Sequence, residues 1–338
     1  RGPYKNAKRP LLINSWEGAL FDFDTDKLVA FADEAAKLGM EMLVMDDGWF
    51  GKRNDDTTSL GDWFVNQKKL PGGLKQLADK INAEGIQFGI WMEPEMVSPD
   101  SELYRTHPDW AIQVPGREIN MARHQYVLDM TRQDVRDHIF EAMSAVLHSA
   151  NITYLKWDMN RAMADIGSAA LPAERMGEFY HRYVLGLYDL QERLVQEFPE
   201  LLLENCTGGG GRFDPGMLYY SPQIWTSDNM DPVQRLLIQE GTALMYPLST
   251  MGAHVSPVPN HQVGRVTSLK TRADVAYFGM FGFELDIAQM TDAELEQAKE
   301  QIAFAKGIQP LVRNGIFHRL RSPYENNECI WQVVSEDG

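Results

Sequence analysis

The chain has 338 residues, a hydrophobic content of 44% and a formal net charge of −16 at pH 7. This length suits two ordinary domains or one large α/β barrel. The negative charge argues against nucleic acid and anionic membranes as partners, because both are bound through basic surfaces. A neutral small-molecule ligand fits the charge better than a phosphorylated one.

The number of cysteines and the hydropathy of the chain indicate the cellular compartment in which the protein is expected. The chain has only two cysteines, Cys206 and Cys329, which make neither a disulfide framework nor a Cys-x-x-Cys metal pattern. This favours a reducing compartment, and we expect a cytoplasmic protein. No stretch approaches eighteen apolar residues, and no apolar h-region of a signal peptide follows the charged start, so the sequence predicts neither a membrane span nor a signal peptide. Because it lacks an initiator Met, we expect the chain to be an excised piece of a longer protein.

Short apolar segments alternate with amphipathic segments along the chain. Apolar positions recur at intervals of three and four over residues 28–39, and Gly39 is placed to act as a C-cap. The same pattern predicts helices at 74–85, 134–150, 176–198, 233–244 and 294–308. The apolar segments predict strands within 11–16, 42–50, 86–95, 152–161, 201–206, 224–231, 248–255 and 281–287.

This alternation predicts the fold. Continuous apolar strands separated by helices favour a parallel sheet that is covered on its outside. Eight such units favour an α/β fold of the (β/α)8 TIM barrel type over a doubly wound sheet. We expect the barrel to occupy residues 1–322. Residues 323–338 include a further strand pattern and are predicted to be the truncated start of a C-terminal β domain.

The predicted strands end in residues that a hydrophobic core does not need. In a barrel these ends meet at one face, where the loops after the strands build the site. Carboxylates and amides bind hydroxyl groups, and indole faces pack against the C–H faces of sugar rings. The composition therefore indicates a carbohydrate site. The strand-end residues are Asn14, Trp16, Asp46, Asp47, Trp91, Glu93, Glu95, Lys156, Asp158, Asn160, Glu204, Asn205, Cys206, Trp225 and Asp228.

Two of these residues are candidates for acid–base chemistry. Cleavage of a glycosidic bond usually needs one carboxyl group as nucleophile or base and another as acid, and Asp158 and Asp228 could supply them. Lys156 shares the strand face of Asp158, and a nearby cation would lower the pKa of that carboxyl. Asp228 follows Trp225 with no cation within two residues, and a drier aromatic setting would raise its pKa.

Segments along almost the whole chain carry a family resemblance. Together and in this order, they resemble the bacterial α-galactosidases of glycoside hydrolase family 36. The segments are INSWE (13–17), MDDGWFGKRNDD (45–56), GDWFVNQKKLPGGL (61–74), GIWMEPEMVSPDSELYRTHPDW (89–110), KWDMNR (156–161), ENCTGGGGRFDPGML (204–218), WTSDNMD (225–231) and MGAHVSPVPNH (251–261).

The resemblance implies a (β/α)8 barrel that hydrolyses terminal α-galactosides with retention, as in melibiose and raffinose-type sugars, without a metal or organic cofactor. It implies that Asp158 is the nucleophile and Asp228 the acid/base. The other implied substrate contacts are Asp46 and Asp47 to O4 and O6 of galactose, Trp16 and Trp91 as pocket walls, Arg123 and Lys156 to ring hydroxyls, and Cys206 and Gly209 beside O2. Asn160 and Trp225 complete the predicted substrate-binding set.

Full-length members of the family carry β domains on both sides of the barrel and are commonly homotetramers. The N-terminal domain of one subunit can contribute to a neighbour's pocket. The resemblance therefore implies that this chain is the catalytic barrel alone, and that the full-length form is a homotetramer.

Other interpretations stay open at this point. The same two carboxylates could serve a galactosyltransferase or transglycosylase, an α-N-acetylgalactosaminidase, or a truncated barrel that binds sugar without turnover. Asp158 could instead be a solvated residue that pairs with Lys156 or Arg161. Asp228 could cap the following helix, although Asp231 or Asn229 suits that role better. The run TGGGGR (207–212) follows a strand but lacks the rest of a phosphate-loop pattern.

Overall fold

The computed structural model describes residues 2–5, 7–325 and 327–338. The strands within these residues are β1 (Leu12–Asn14), β2 (Met42–Met45), β3 (Gln87–Met92), β4 (Met96–Val97), β5 (Tyr126–Val127), β6 (Tyr154–Trp157), β7 (Leu202–Asn205), β8 (Gln223–Trp225), β9 (Met251–Val255), β10 (Met280–Phe283), β11 (Ile316–Arg321) and β12 (Ile330–Val334). Eight of them are parallel and close into a barrel, in the order β1-β10-β9-β8-β7-β6-β3-β2, which confirms the predicted (β/α)8 fold.

Helices connect the barrel strands, and all six predicted helices are present. Asp24 accepts a hydrogen bond from the Lys27 N–H at the start of α2, and Gly39 ends that helix in a left-handed conformation, as predicted. Four shorter helices were not predicted, because few turns give a weak helical period. The helices are α1 (Trp16–Ala19), α2 (Thr25–Leu38), α3 (Gly73–Ala83), α4 (Glu102–Thr106), α5 (Gln133–His148), α6 (Phe179–Glu197), α7 (Pro215–Tyr220), α8 (Pro232–Thr242), α9 (Leu269–Ala276) and α10 (Asp292–Asn314).

The strand alternation separates two apolar layers. Ile13, Leu43 and Leu155 belong to the large cluster that the strands share with the surrounding helices. Their strand neighbours point the other way, because successive side chains of a strand alternate between its faces. These neighbours form a second, small cluster of strand residues inside the barrel: Leu12, Met42, Val44, Tyr154 and Leu202.

Inside the barrel the side chains become polar towards the carboxyl ends of the strands. Tyr154, at the apolar floor, is followed on the same face by Lys156 and then by Asp158. Glycines on neighbouring strands make room for the larger groups. A Cβ atom on Gly89 would lie 2.9 Å from the Cβ of Tyr154, and one on Gly282 would lie 2.7 Å from the ring of His254.

The C-terminal residues form an antiparallel pair, β11 with β12, outside the barrel. The predicted domain boundary after residue 322 falls between these two strands. Trp331 of β12 packs on Phe278 and donates its indole N–H to Glu240 at 2.7 Å. A separate β domain that begins here stays a prediction. None of the helices in the described residues is long and apolar enough to cross a membrane.

Helix α6 packs closely on the loop before α5, and Gly186 permits the contact. A Cβ atom at this position would lie 2.0 Å from the carbonyl oxygen of Met130. We expect Gly186→Ala to destabilise the protein by about 1–3 kcal/mol through overpacking. The measurement is the free energy of unfolding from urea denaturation.

Gly307→Ala is the matched control, because Gly307 lies in α10 with nothing within 4 Å of an added Cβ. Here alanine should be neutral or should stabilise the helix by up to ~1 kcal/mol. Equal stability of the two variants would contradict the close packing at Gly186.

Candidate active site

A cavity of about 270 Å³ opens at the carboxyl ends of the barrel strands. Every predicted site residue except Cys206 and Gly209 is among those that line it in the described chain. The lining residues are Trp16, Glu17, Phe21, Asp46, Asp47, Arg53, Asp56, Trp91, Glu93, Arg123, Gln125, Lys156, Asp158, Asn160, Trp225, Asp228, Met230, His261, Gln262 and Glu284.

Asp158 follows β6 and lies in the wall of the cavity with only 5% of its surface exposed. Its carboxylate accepts hydrogen bonds from the Trp91 indole at 3.2 Å, the Asn160 amide at 2.6 Å and the Met159 backbone N–H at 2.8 Å. These donors hold both carboxylate oxygens in a fixed orientation. Because Asp158 is buried, it is not the solvated strand-end residue of the alternative interpretation.

Lys156 of β6 pairs with Asp46, which follows β2 two strands away in the barrel, and not with Asp158. Its ammonium lies 2.9 Å from the Asp46 carboxylate, which also accepts from Asn14 at 2.7 Å. Burial alone lowers the pKa of Lys156, but the nearby carboxylates, Asp46 first, outweigh it and hold that pKa well above its usual value. The lysine therefore stays charged, and Asp158 obtains its direct hydrogen bonds from neutral groups.

Asp47 forms a second buried ion pair, with Arg53 from the following loop. Three guanidinium–carboxylate hydrogen bonds of 2.7–3.2 Å join them, and both side chains are nearly inaccessible to solvent. Burial raises the pKa of Asp47, although the charge of Arg53 opposes the shift. Adjacent Asp46 and Asp47 thus have separate cations, which limits the repulsion between them.

Asp228 lies on the loop after β8 and faces the cavity. Its carboxylate accepts a hydrogen bond from the indole N–H of Trp225 at 3.1 Å. The side chain of Asp228 reaches solvent in the cavity, but protein atoms surround most of it. This burial raises the pKa of Asp228, and the negative charge of Asp158 raises it further. This is the direction that the aromatic setting predicted from the sequence. The helix cap is formed by Asp231, which accepts from the Gln234 N–H.

Cys206 and Gly209 lie behind the cavity wall, not in it. Cys206 packs with Trp225 and Met230, and burial holds the pKa of its thiol well above the usual value. Gly209 has a φ of 89°, and a Cβ atom there would lie 3.0 Å from the Asp228 nitrogen. Cys206 and Gly209 therefore pack against the far side of the loop that carries Asp228.

The glycine-rich run after β7 is anchored by an arginine. Arg212 donates two hydrogen bonds of 2.8 and 3.0 Å to Glu95. That carboxylate also accepts from the Trp157 indole at 2.9 Å and the Tyr183 hydroxyl at 2.7 Å. Glu95 is thus a buried structural anchor of the loops around the cavity, and not a ligand-binding group.

Several cavity residues were not among the predicted site residues. Glu284 follows β10 in the same way as the predicted carboxylates follow their strands, so strand-end position could have identified it. Its carboxylate accepts from the Nδ1 atom of His254 at 2.8 Å. Glu93 was noted only as a strand-end carboxylate, and it accepts from Gln125 at 2.8 Å. Burial and the Asp158 charge raise its pKa.

Residues of the short helix α1 and of a loop complete the cavity, and no sequence signal had marked them. Glu17, next to Trp16, pairs with His261 at 3.1 Å. Burial, followed by the charge of Glu284, raises the pKa of Glu17 to about 7. Gln262 donates to the backbone carbonyl of Asp228 at 3.1 Å. Among the described residues, no group of three or more His, Cys, Asp or Glu side chains is arranged to hold a metal ion.

Comparison with known proteins identifies the family of this chain. Residues 1–315 match the melibiase family. The chain belongs to the melibiase family. It is 59% identical over 337 residues to α-galactosidase AgaA of Geobacillus stearothermophilus and 53% identical over 335 residues to α-galactosidase 1 of Pediococcus pentosaceus, each match covering 46% of the relative and nearly all of this chain.

Solved structures of melibiase relatives superpose on the whole chain. The crystal structure of AgaA, a family 36 glycoside hydrolase, matches with a TM-score of 0.99 at 59% identity, covering 100% of this chain and 47% of AgaA. Variants of AgaA have been crystallised with raffinose and with stachyose. This melibiase barrel spans about half the length of the curated relatives that it matches.

The Arg53–Asp47 pair permits a stability test of the melibiase site. We expect Arg53→Met to destabilise the chain by about 3–5 kcal/mol at pH 7, because it leaves a buried carboxylate unpaired. Urea denaturation measures the change. The control is Arg105→Met, whose two ion pairs lie at the surface; its unfolding midpoint should match wild type. An equally small effect of both variants would contradict the buried pair.

Proposed function

We propose that the chain is the catalytic barrel of a retaining exo-α-galactosidase that hydrolyses terminal α-D-galactosyl residues. The observation that carries the proposal is the pair of carboxyl groups in one cavity with contrasting surroundings. Asp158 is a buried carboxylate fixed by three donors. Asp228 reaches the cavity with a raised pKa. One group is suited to nucleophilic attack and the other to proton transfer.

The reaction proceeds by double displacement. An oxygen of Asp158 attacks the anomeric carbon, and Asp228 gives its proton to the glycosidic oxygen as the C–O bond breaks. The β-linked galactosyl ester is then attacked by water, from which Asp228 removes a proton. Two inversions release galactose with its α configuration retained.

The other cavity residues bind the sugar. Asp46 and Asp47 each keep oxygen lone pairs beyond their ion pairs and are assigned to O4 and O6 of galactose. Lys156, Arg123 and Asn160 present donors for ring hydroxyls, and Trp16, Trp91 and Trp225 give the cavity indole walls. Cys206 and Gly209 act beside O2 only indirectly, by fixing the loop and the Trp225 face. No metal or organic cofactor takes part.

The relatives support a substrate class. Structures of AgaA variants hold raffinose and stachyose, and we infer that α-galactosides of this type, with melibiose, are substrates of the whole protein. Hydrolysis is favoured over galactosyl transfer and over α-N-acetylgalactosaminidase activity, because the close relatives are named α-galactosidases. A cytoplasmic location and a homotetrameric full-length form stay predictions.

Azide rescue tests the two assigned roles. We expect Asp158→Ala and Asp228→Ala each to lose activity on p-nitrophenyl α-galactoside by on the order of 10²-fold or more. Azide should restore turnover of both, because it replaces the missing nucleophile in the first and needs no general base in the second. The products differ: Asp158→Ala should give β-galactosyl azide and Asp228→Ala α-galactosyl azide, as proton NMR will distinguish.

Each outcome bears on a separate part of the proposal. The same azide anomer from both variants would reject the assigned roles. Wild-type chain that binds galactose without turning over the substrate would favour the sugar-binding alternative. In that case a longer chain with the flanking regions is the next protein to assay.

The indole of Trp225 gives a prediction for the pH profile. Its N–H bond stabilises the ionised form of Asp228, so Trp225→Phe should raise the pKa of that carboxyl further. Because Asp228 must be protonated to donate, the basic limb of kcat/KM reports this pKa. We expect the limb to move to higher pH in the variant. A limb that stays in place or moves to lower pH would contradict the contact.

A further inference from the structure

Asp228 lies on a loop and not on a strand, and its position needs support from elsewhere. Its carboxylate has one indole donor, Trp225, and its backbone carbonyl accepts from Gln262. The residues on either side, Ser227 and Asn229, direct their carbonyl oxygens away from the cavity towards α8. These two carbonyls are the points at which the loop is held.

A single side chain of α8 binds both carbonyls. Arg235 donates to the Ser227 carbonyl at 2.6 Å and to the Asn229 carbonyl at 2.8 Å. Its third hydrogen bond, at 3.1 Å, goes to the carbonyl of Gly252 on β9. The guanidinium thus spans the loop on both sides of Asp228 and ties it to the barrel wall.

The same guanidinium also orients the indole that contacts the acid. Arg235 lies 4.6 Å from the centre of the Trp225 ring, and the His254 ring lies 4.5 Å from it. His254 is in turn fixed by Glu284 through a 2.8 Å hydrogen bond. Trp225 is therefore held by two flat groups, and its N–H points at Asp228.

The charge of Arg235 is buried without a direct countercharge among the described residues. It is 4% exposed, and burial lowers its pKa to about 10, so that it remains a cation at neutral pH. No carboxylate forms a direct ion pair with it in the described residues; its contacts are backbone carbonyls and an aromatic face. Burying a cation in this way is costly, because carbonyls compensate its lost hydration only in part.

From these contacts we propose that Arg235 is a positioning residue for the general acid, which it holds through the two flanking carbonyls and through Trp225. The inference rests on the proposed function, because it assumes that Asp228 donates a proton to the leaving group. Without the two hydrogen bonds from the guanidinium to Ser227 and Asn229, the loop that carries Asp228 could shift. A displacement of about 1 Å in a reacting group can cost on the order of 10²-fold in rate.

The dependence on the leaving group separates this role from a merely structural one. The sugar that departs from melibiose is a poor leaving group and needs a proton from the acid. The dinitrophenolate that departs from dinitrophenyl α-galactoside is stable as an anion and needs none. For Arg235→Lys, which keeps the charge but loses the planar fork, we expect kcat/KM on melibiose to fall ~100-fold and on the dinitrophenyl substrate by less than ~5-fold. Added azide should raise kcat of the variant on the activated substrate, because it needs no general base.

Arg9→Lys is the matched control. Arg9 is also buried, has a pKa lowered by burial to about 10, and donates to a backbone carbonyl, that of Ala7, but it precedes β1 at the opposite end of the barrel. Thermal unfolding of both variants measures the loss of stability. The control should change kcat/KM on both substrates by the same small factor.

Each result supports or overturns the inference. Selective loss on melibiose in Arg235→Lys, absent in Arg9→Lys, supports it. Equal losses on the two substrates, or no loss on either, overturn it and leave the proposed function intact. If Arg235→Lys does not fold, Arg235→Gln, which keeps hydrogen-bond donors without the charge, takes its place. It is judged in the same way, by its loss of kcat/KM on melibiose relative to its loss on the dinitrophenyl substrate. A wild-type chain silent on both substrates overturns the proposed function and this inference together.

Discussion

The alternation of side chains along the barrel strands is the constraint on which the rest of the structure depends. Every second residue points into a closed interior, which is apolar and buried at its floor and opens to solvent at the cavity. Apolar residues such as Val44 and Tyr154 fill the floor, while the next inward positions hold Asp46 and Lys156. Asp46 and Lys156 lie 2.9 Å apart, and this pairing offsets part of the hydration that each charge loses on burial.

The two proposed catalytic carboxyl groups differ because they stand on different kinds of support. Asp158 follows a strand directly, so the barrel itself fixes its backbone, and buried donors fix its carboxylate. Asp228 stands on a loop that turns away from β8 and depends on contacts from α8, β9 and the loop that carries Gln262. The barrel thus fixes the proposed nucleophile directly, whereas several elements together hold the proposed general acid.

Sequence reasoning predicted the barrel and most of the cavity, since strand and helix periods are local properties and strand ends share one face. It could not predict which inward groups meet across the barrel. Lys156 and Asp158 share a strand face, yet the lysine reaches Asp46, because the order of the strands places β2 only two positions from β6. Loop contributions such as Arg53 and Gln262 also carry no period. Cys206 and Gly209 lie behind the wall, a difference in depth that spacing along the chain does not encode.

The cavity holds more carboxyl groups than cations, and this excess has two consequences. Burial and, after it, repulsion from neighbouring carboxylates raise the pKa of Asp228, and they raise the pKa of Glu17 to about 7. The same negative field favours positive charge, and the transition state of glycoside cleavage is oxocarbenium-like. An anionic ligand such as a sugar phosphate would be repelled. The net charge of −16 therefore agrees with the site: both suit a neutral sugar that becomes positive only as its glycosidic bond breaks.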